Sequence, residues 1–363
     1  MKVMVVCTTG GSGRRQFGGA EHLLADLVPG LAGLGIEMLA CTPDDEVAAA
    51  LRSAGVPWVD LAARTRVDLG YAREIRRLVA EHRPDVVCAH LLSAAMHCRA
   101  ALGLGLGYRR VPLVVTLHNS LWQYRDSAGT ARARAAVRAN IALDLTMRRL
   151  RPHTSVAVSD YEADELRTRG RVRDVRVIPN PLPASWPPPR PREPGRPIRV
   201  GFMGRLEPEK GADLLGDIAR ALPAASLAVA GSGTVAVPRL DNVTLLGQVD
   251  AAEFLSTVDC VVVPSRVESF GRTALEALSL GVPVVHSGVG GLAEVTRYAD
   301  GVLAYQADPV PEPIAAAVRK ATEPGAPVAD RLAIARWYRE EYAFGRILDR
   351  WAALYRSVAH GHP

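Results

Sequence analysis

The stretch Val261–Leu280, VVVPSRVESFGRTALEALSL, decides how the chain is read. Cys260 and Val261–Val263 form an apolar run, rich in β-branched residues and short enough for a buried strand. Pro264 and Ser265 end it. Beyond the Arg266–Gly271 loop, Ala274, Leu275, Ala277, Leu278 and Leu280 fall at helical spacing. A strand, loop and helix in that order leave the first N–H groups of the helix unpaired at the carboxyl end of a sheet, where anions and phosphates bind. Glu268 and Glu276 flank the turn. Thr273 and Glu276 also have capping-box spacing, which needs no ligand. Glu268 has no such explanation: an acid beside an anion site accepts hydrogen bonds from neutral hydroxyls. Phosphate donors ringed by hydroxyl acceptors point to a sugar nucleotide.

Glu268-x7-Glu276, with strand and helix flanking it, resembles the signature of the retaining, family 4 glycosyltransferases (glycosyl transferases group 1). The resemblance implies a GT-B fold: α/β, two Rossmann-like domains facing each other across a cleft. It also assigns Phe270, Gly271, Arg272, Thr273 and Glu276 to donor binding.

Composition agrees with two domains. The chain has 363 residues, 48% hydrophobic, and its mean hydropathy is +0.06. No run reaches the roughly 18–20 apolar residues of a membrane span. The opening MKVMVVCTTGG has no long apolar region or cleavage site and reads as a first strand, so a cytoplasmic protein is expected. Cys7, Cys41, Cys88, Cys98 and Cys260 show no ligand spacing and read as buried thiols. Up to the proline-rich linker there are 25 Lys+Arg and 18 Asp+Glu, a net of +7; from the linker onward there are 19 and 20, a net of −1. The basic half suits an anionic or membrane-associated acceptor, with the inner membrane face as a place for peripheral association. Without aromatic interleaving or a known module, nucleic acid is excluded as a partner.

The alternation predicts strands at 3–7, 36–42, 58–61, 85–90, 112–118, 155–159 and 175–178, with helices near 19–34, 46–54, 71–82, 93–102 and 131–150. It restarts with strands at 198–203, 226–230, 243–246, 283–286 and 301–304, and helices at 210–221, 251–257, 292–297, 311–322, 327–341 and 345–358. The expected division is 1–182, an acceptor domain; 183–197, a stiff linker; 198–345, a nucleotide-sugar domain; and 346–363, a helix returning to the first domain. Gly11-Ser12-Gly13 invites a dinucleotide reading, but Gln16 stands where the third glycine belongs, so an NAD-dependent oxidoreductase fails.

Gly204-Arg205-Leu206-Glu207-Pro208-Glu209-Lys210-Gly211 follows the first strand of the second half. Lysine is rare here: only Lys2, Lys210 and Lys320 occur. A lone lysine beside Arg205 at a strand–loop–helix turn suits a diphosphate, the arginine as a fork and the lysine as a compact charge. This GRLxxEKG run resembles the family's diphosphate-binding segment, including Gly204. Gly18-Gly19-Ala20-Glu21 resembles its first loop, and Gly288-Val289-Gly290-Gly291 its segment near the donor hexose, which gives Gly18, Gly19 and Gly290 donor roles. His118, at the strand tip within LVVTLHNS (Leu113–Ser120), matches the family's strand-end histidine beside the donor sugar; His90 is a weaker candidate of the same kind. The catalytic set is thus His118, Arg205, Lys210 and Glu268. No Asp-x-Asp occurs, so no metal and no cofactor are expected beyond the nucleotide diphosphate sugar, UDP-linked before GDP-linked. The acceptor is expected to be a hydroxyl of a natural product, glycolipid or cell-envelope glycan. A nucleotide-sugar epimerase and a non-catalytic sugar-nucleotide binder are the alternatives.

Overall fold

The computed structural model describes residues 1–8, 19–65, 67–103, 108, 110–189, 198–323 and 328–361. Gly18, nearly all of the Thr8–Phe17 loop and residues 190–197 of the linker lie outside them. Two compact units emerge: unit 1 comprises 1–125, 129–183 and 344–363, and unit 2 comprises 126–128 and 184–343.

Unit 1 holds a parallel sheet of β1 (Lys2–Cys7), β2 (Glu37–Cys41), β3 (Trp58–Val59), β4 (Val86–His90), β5 (Leu113–Thr116), β6 (Thr154–Ala157) and β7 (Val175–Val177), in the order β3-β2-β1-β4-β5-β6-β7. Val5 of β1 sits opposite Ala40 of β2 and Cys88 of β4. Successive side chains of a strand point to opposite faces, so both layers are apolar. Val3, Val5 and Cys7 pack with Leu24, Leu27 and Leu31 of the Gly19–Gly33 helix, and with Ile347, Trp351 and Tyr355 of the Phe344–Ala359 helix. Met4 and Val6 pack on the other face with Ile75, Leu78 and Leu102.

Unit 2 repeats the plan with β8 (Arg199–Met203), β9 (Ser226–Ala230), β10 (Val243–Gly247), β11 (Cys260–Val263), β12 (Val284–His286) and β13 (Ala304–Gln306), parallel in the order β10-β9-β8-β11-β12-β13. Val200, Phe202, Val229, Cys260 and Val262 meet Leu215, Ile218, Ile314 and Val318 on one face. Each unit is therefore a doubly wound, Rossmann-like α/β layer. In each, the strand order reverses once, between β1 and β4 and between β8 and β11. Ligands bind outside the carboxyl ends of strands at such switch points.

Four elements depart from the sequence reading. The strand expected at 301–304 is β13 at Ala304–Gln306, because Gly301 (φ +73°) and the Val302 N–H make a tight turn first. The helix expected from residue 210 is α only over Leu215–Ala221; Pro208–Lys210 and Ala212–Leu214 are 3-10 turns broken by left-handed Gly211. Helices at Leu121–Ser127 and Asp160–Thr168 were not foreseen. All five cysteines are free and buried. No described helix is long and apolar enough to cross a membrane.

Candidate active site

In unit 2, the loops after β8, β9 and β11 are stitched together by their backbones. Leu206 N–H donates to Ser232 O at 2.8 Å, and Arg266 N–H to Glu209 O at 2.7 Å. Gly211 is at φ +72°, and a Cβ there would lie 2.3 Å from Pro264 O, so only glycine lets the two switch-point loops touch. Gly231 (φ +126°) is pressed as closely against Gly204 O, and sequence reasoning missed it; a Gly-x-Gly directly after β9 was the available signal.

Four ion pairs lie in and beside these loops, and two of them, Lys210–Glu268 and Arg266–Asp213, join the loop after β11 to the segment after β8. Lys210 Nζ donates to Glu268 Oε2 at 2.6 Å, so the structure brings those two predicted residues into contact. Arg205 Nη2 reaches Glu209 Oε1 at 2.9 Å, and Arg272 Nε reaches Glu276 Oε1 at 2.9 Å. Arg266 forks onto Asp213 at 2.6 and 2.9 Å and fixes the loop after β11, a pairing the sequence did not reveal.

The Arg272–Ser279 helix corrects two expectations. Its N-cap is Gly271 (φ +100°), which has no side chain to cap with, and the Thr273 hydroxyl donates instead to Met203 O at 3.2 Å. Thr273 and Glu276 are thus no capping box. Glu276 lies in the second turn, not the first, and is buried. Burial raises its pKa, opposed by the Arg272 charge and hydrogen bond. The Phe270 ring is buried against Tyr342 (centroids 5.9 Å apart), so at this position only the backbone is offered to a ligand. Gly290 caps the Gly291–Thr296 helix, and Gly291 N–H donates to Glu268 O at 3.1 Å, tying the glycine run to the acidic loop.

In unit 1, Gly19 opens its helix, and His118 follows β5 in a left-handed conformation (φ +62°). Leu91, just after β4, is also left-handed (φ +72°). Such strain in bulky residues gathers at functional sites. His118 Nε2 and His90 Nδ1 are 2.8 Å apart with the rings stacked. Burial lowers the His118 pKa to about 4, and burial plus His118 lowers that of His90 well below the usual imidazole range. Both rings are neutral at pH 7. A cavity of about 260 Å³, lined by their chain neighbours Leu91, Leu117 and Asn119 and by Thr8, Ser93 and Tyr124, among others, lies at the switch point of unit 1.

The family profile for "Glycosyltransferase Family 4" matches residues 17–186, and that for "Glycosyl transferases group 1" matches residues 197–323. The chain belongs to the group 1 glycosyltransferases. Among its relatives within that family is the glycogen synthase of Mycobacterium tuberculosis, 32% identical over 235 residues, which are 58% of this chain and 54% of that protein. The D-inositol 3-phosphate glycosyltransferase of Segniliparus rotundus is 38% identical over 125 residues, 29% of this chain and 28% of that protein. The chain thus spans about half the length of the first relative and less of the second. In fold, this group 1 chain resembles HepE of Anabaena, solved in complex with UDP (TM-score 0.76, 19% identity, 98% of this chain and 100% of that one). Sucrose-phosphate synthase of Thermosynechococcus elongatus is equally similar (TM-score 0.75, 16% identity, 98% or more of both chains: 99% and 99%). The fold is GT-B.

Proposed function

We propose that the chain is a retaining glycosyltransferase that moves a sugar from a nucleotide diphosphate sugar, UDP-linked before GDP-linked, to a hydroxyl acceptor. The observation that carries this reading is the contact between Lys210 and Glu268 at the switch point of unit 2, beside the uncapped Arg272–Ser279 helix. A diphosphate draws Lys210 off Glu268, which frees that carboxylate to accept from a sugar hydroxyl. Arg205, Lys210 and the N–H groups of Arg272 and Thr273 then stabilise the leaving-group charge. Glu276, paired with Arg272, accepts from the ribose hydroxyls. The leaving phosphate oxygen takes the acceptor proton on the face it departs from, which keeps the anomeric configuration and asks for no protein base. Its charge is met by side chains, so the transfer needs no metal.

His118 is assigned to the transferred sugar, and the cavity lined by its chain neighbours to the acceptor. The lining named above is uncharged, which suits a hydroxyl-bearing end of a natural product or glycan, with any anionic or lipid portion outside. In this reading the protein works in the cytoplasm, peripheral to the membrane when its acceptor is membrane-associated.

The test is a panel of nucleotide diphosphate sugars with EDTA present, followed by proton NMR of the product. Stabilisation by a UDP-sugar and transfer with unchanged anomeric configuration are expected. Activity abolished by EDTA and restored by Mn²⁺ overturns metal independence, and an inverted product overturns retention. Conversion of the donor without an acceptor indicates the epimerase.

A further inference from the structure

Beneath His118, unit 1 carries a buried row of groups that the transfer mechanism does not use. His90 Nε2 lies 3.3 Å from Cys88 Sγ, and His90 Nδ1 lies 2.8 Å from His118 Nε2. The Tyr355 hydroxyl, on the Phe344–Ala359 helix, is buried near the Cys88 thiol and makes no hydrogen bond of good geometry. Trp351 of the same helix backs the His90 ring, with centroids 5.8 Å apart. His90 and Cys88 are fully buried, so each of their protons is best matched to a lone pair.

Two directions are open to this row. Running outward, Cys88 S–H donates to His90 Nε2 and His90 Nδ1–H to His118 Nε2. Each donor of the three is then used, and His118 presents Nδ1–H to its surroundings. Running inward, His118 Nε2–H donates to His90 and His90 Nε2–H to sulfur. The buried thiol proton then has no acceptor, which carries a desolvation cost. The thiol is also a poorer acceptor than an imidazole nitrogen. The outward direction wins.

We propose that His90 is a positioning residue that fixes His118 as a neutral imidazole with its proton on Nδ1, through the row Cys88, His90, His118. The pKa shifts agree: burial pushes the Cys88 thiol up to about 12, and both imidazoles are held neutral. His118 is therefore a hydrogen-bond donor toward the substrate and not a base. Its left-handed backbone is the strain accepted to seat Nε2 on His90. The kinetic part of this inference rests on the glycosyltransferase reading; the tautomer does not.

The experiment records long-range proton–nitrogen spectra of the ¹⁵N-labelled full chain near pH 7, with signals assigned through His90→Phe and His118→Gln. The expected result is an Nδ1-protonated tautomer for both rings, with that of His118 lost in His90→Phe. An Nε2-protonated or doubly protonated His118 in the wild type overturns the proposal. Cys88→Ser provides a second variant: serine keeps the donor, so the His118 tautomer is expected unchanged, and a switch to Nε2–H overturns the outward direction. In the kinetic arm, His90→Phe lowers kcat at least about tenfold with the donor KM changed less than about threefold. Equal loss in both parameters contradicts a positioning role. Absence of any transfer by the wild type, with the Nδ1 tautomer in place, counts against the glycosyltransferase reading and leaves the proton arrangement standing.

Discussion

Replacing Lys210 with Ala separates chemistry from folding. The Lys210–Glu268 pair keeps 24% and 16% of its side-chain surfaces exposed, and Lys210 belongs to no apolar cluster. A partly exposed ion pair contributes up to about 1 kcal/mol, so the melting temperature falls by no more than about 4 °C. Removing a preorganised charge from a developing phosphate anion costs about 2–4 kcal/mol, which is roughly 30- to 1,000-fold in kcat/KM. Part of that loss comes from Glu268, whose carboxylate is left unneutralised beside the diphosphate. Adding Glu268→Gln therefore recovers affinity for bare UDP relative to Lys210→Ala alone, although not turnover. The assay is product formation from the donor at subsaturating concentration, alongside thermal denaturation. A folded Lys210→Ala variant within about threefold of wild-type kcat/KM refutes the reasoning. A large stability loss with little change in kcat/KM assigns the lysine to structure.

Gly211→Ala strains a φ of +72° and drives a Cβ to 2.3 Å from Pro264 O, so urea denaturation is expected to show a loss of about 2–4 kcal/mol; wild-type stability contradicts the stitched-loop account. Burial, only partly offset by the Val158 N–H, raises the Glu162 pKa from 4.5 to about 7, so the folded state takes up this proton before the unfolded state does, and stability falls as pH rises through that window. Glu162→Gln is therefore expected to gain up to about 3 kcal/mol over wild type at pH 8 and nothing at pH 4, measured by denaturation at both values; an equal effect at both removes titration as the cause.

The fold was legible because parallel strands buried on both faces read as unbroken apolar runs, as Cys260–Val263 and Ser226–Ala230 do. Capping spacing was less informative. Ser159 and Glu162 have it, and Ser159 Oγ does accept the Glu162 N–H at 3.1 Å, yet that helix was missed because only Ala163, Leu166 and two glutamates are buried along it. Thr273 and Glu276 have the same spacing and make no cap, because Gly271 in a left-handed conformation already starts the helix. The loops of the candidate site were legible by their place after β8 and β11. Their pairing was not, since Lys210 and Glu268 stand 58 residues apart and each has other oppositely charged neighbours in sequence. The His90–His118 contact needed the knowledge that β4 and β5 are adjacent, which periodicity does not supply.

The central claim is a division of labour between two glutamates, one on the nucleoside and one on the sugar. Glu276→Gln removes the charge but keeps a side chain of the same shape. Because burial raises this carboxyl's pKa, the fold disfavours its ionised form, and the neutral amide is free of that cost at neutral pH. Isothermal calorimetry with bare UDP and with the intact UDP-sugar, both in EDTA, reads the division directly. The account predicts that Glu276→Gln weakens both ligands alike, whereas Glu268→Gln leaves bare UDP unchanged and weakens only the intact donor. Equal losses for both ligands in both variants, or no binding of UDP to the wild type without metal, would contradict it.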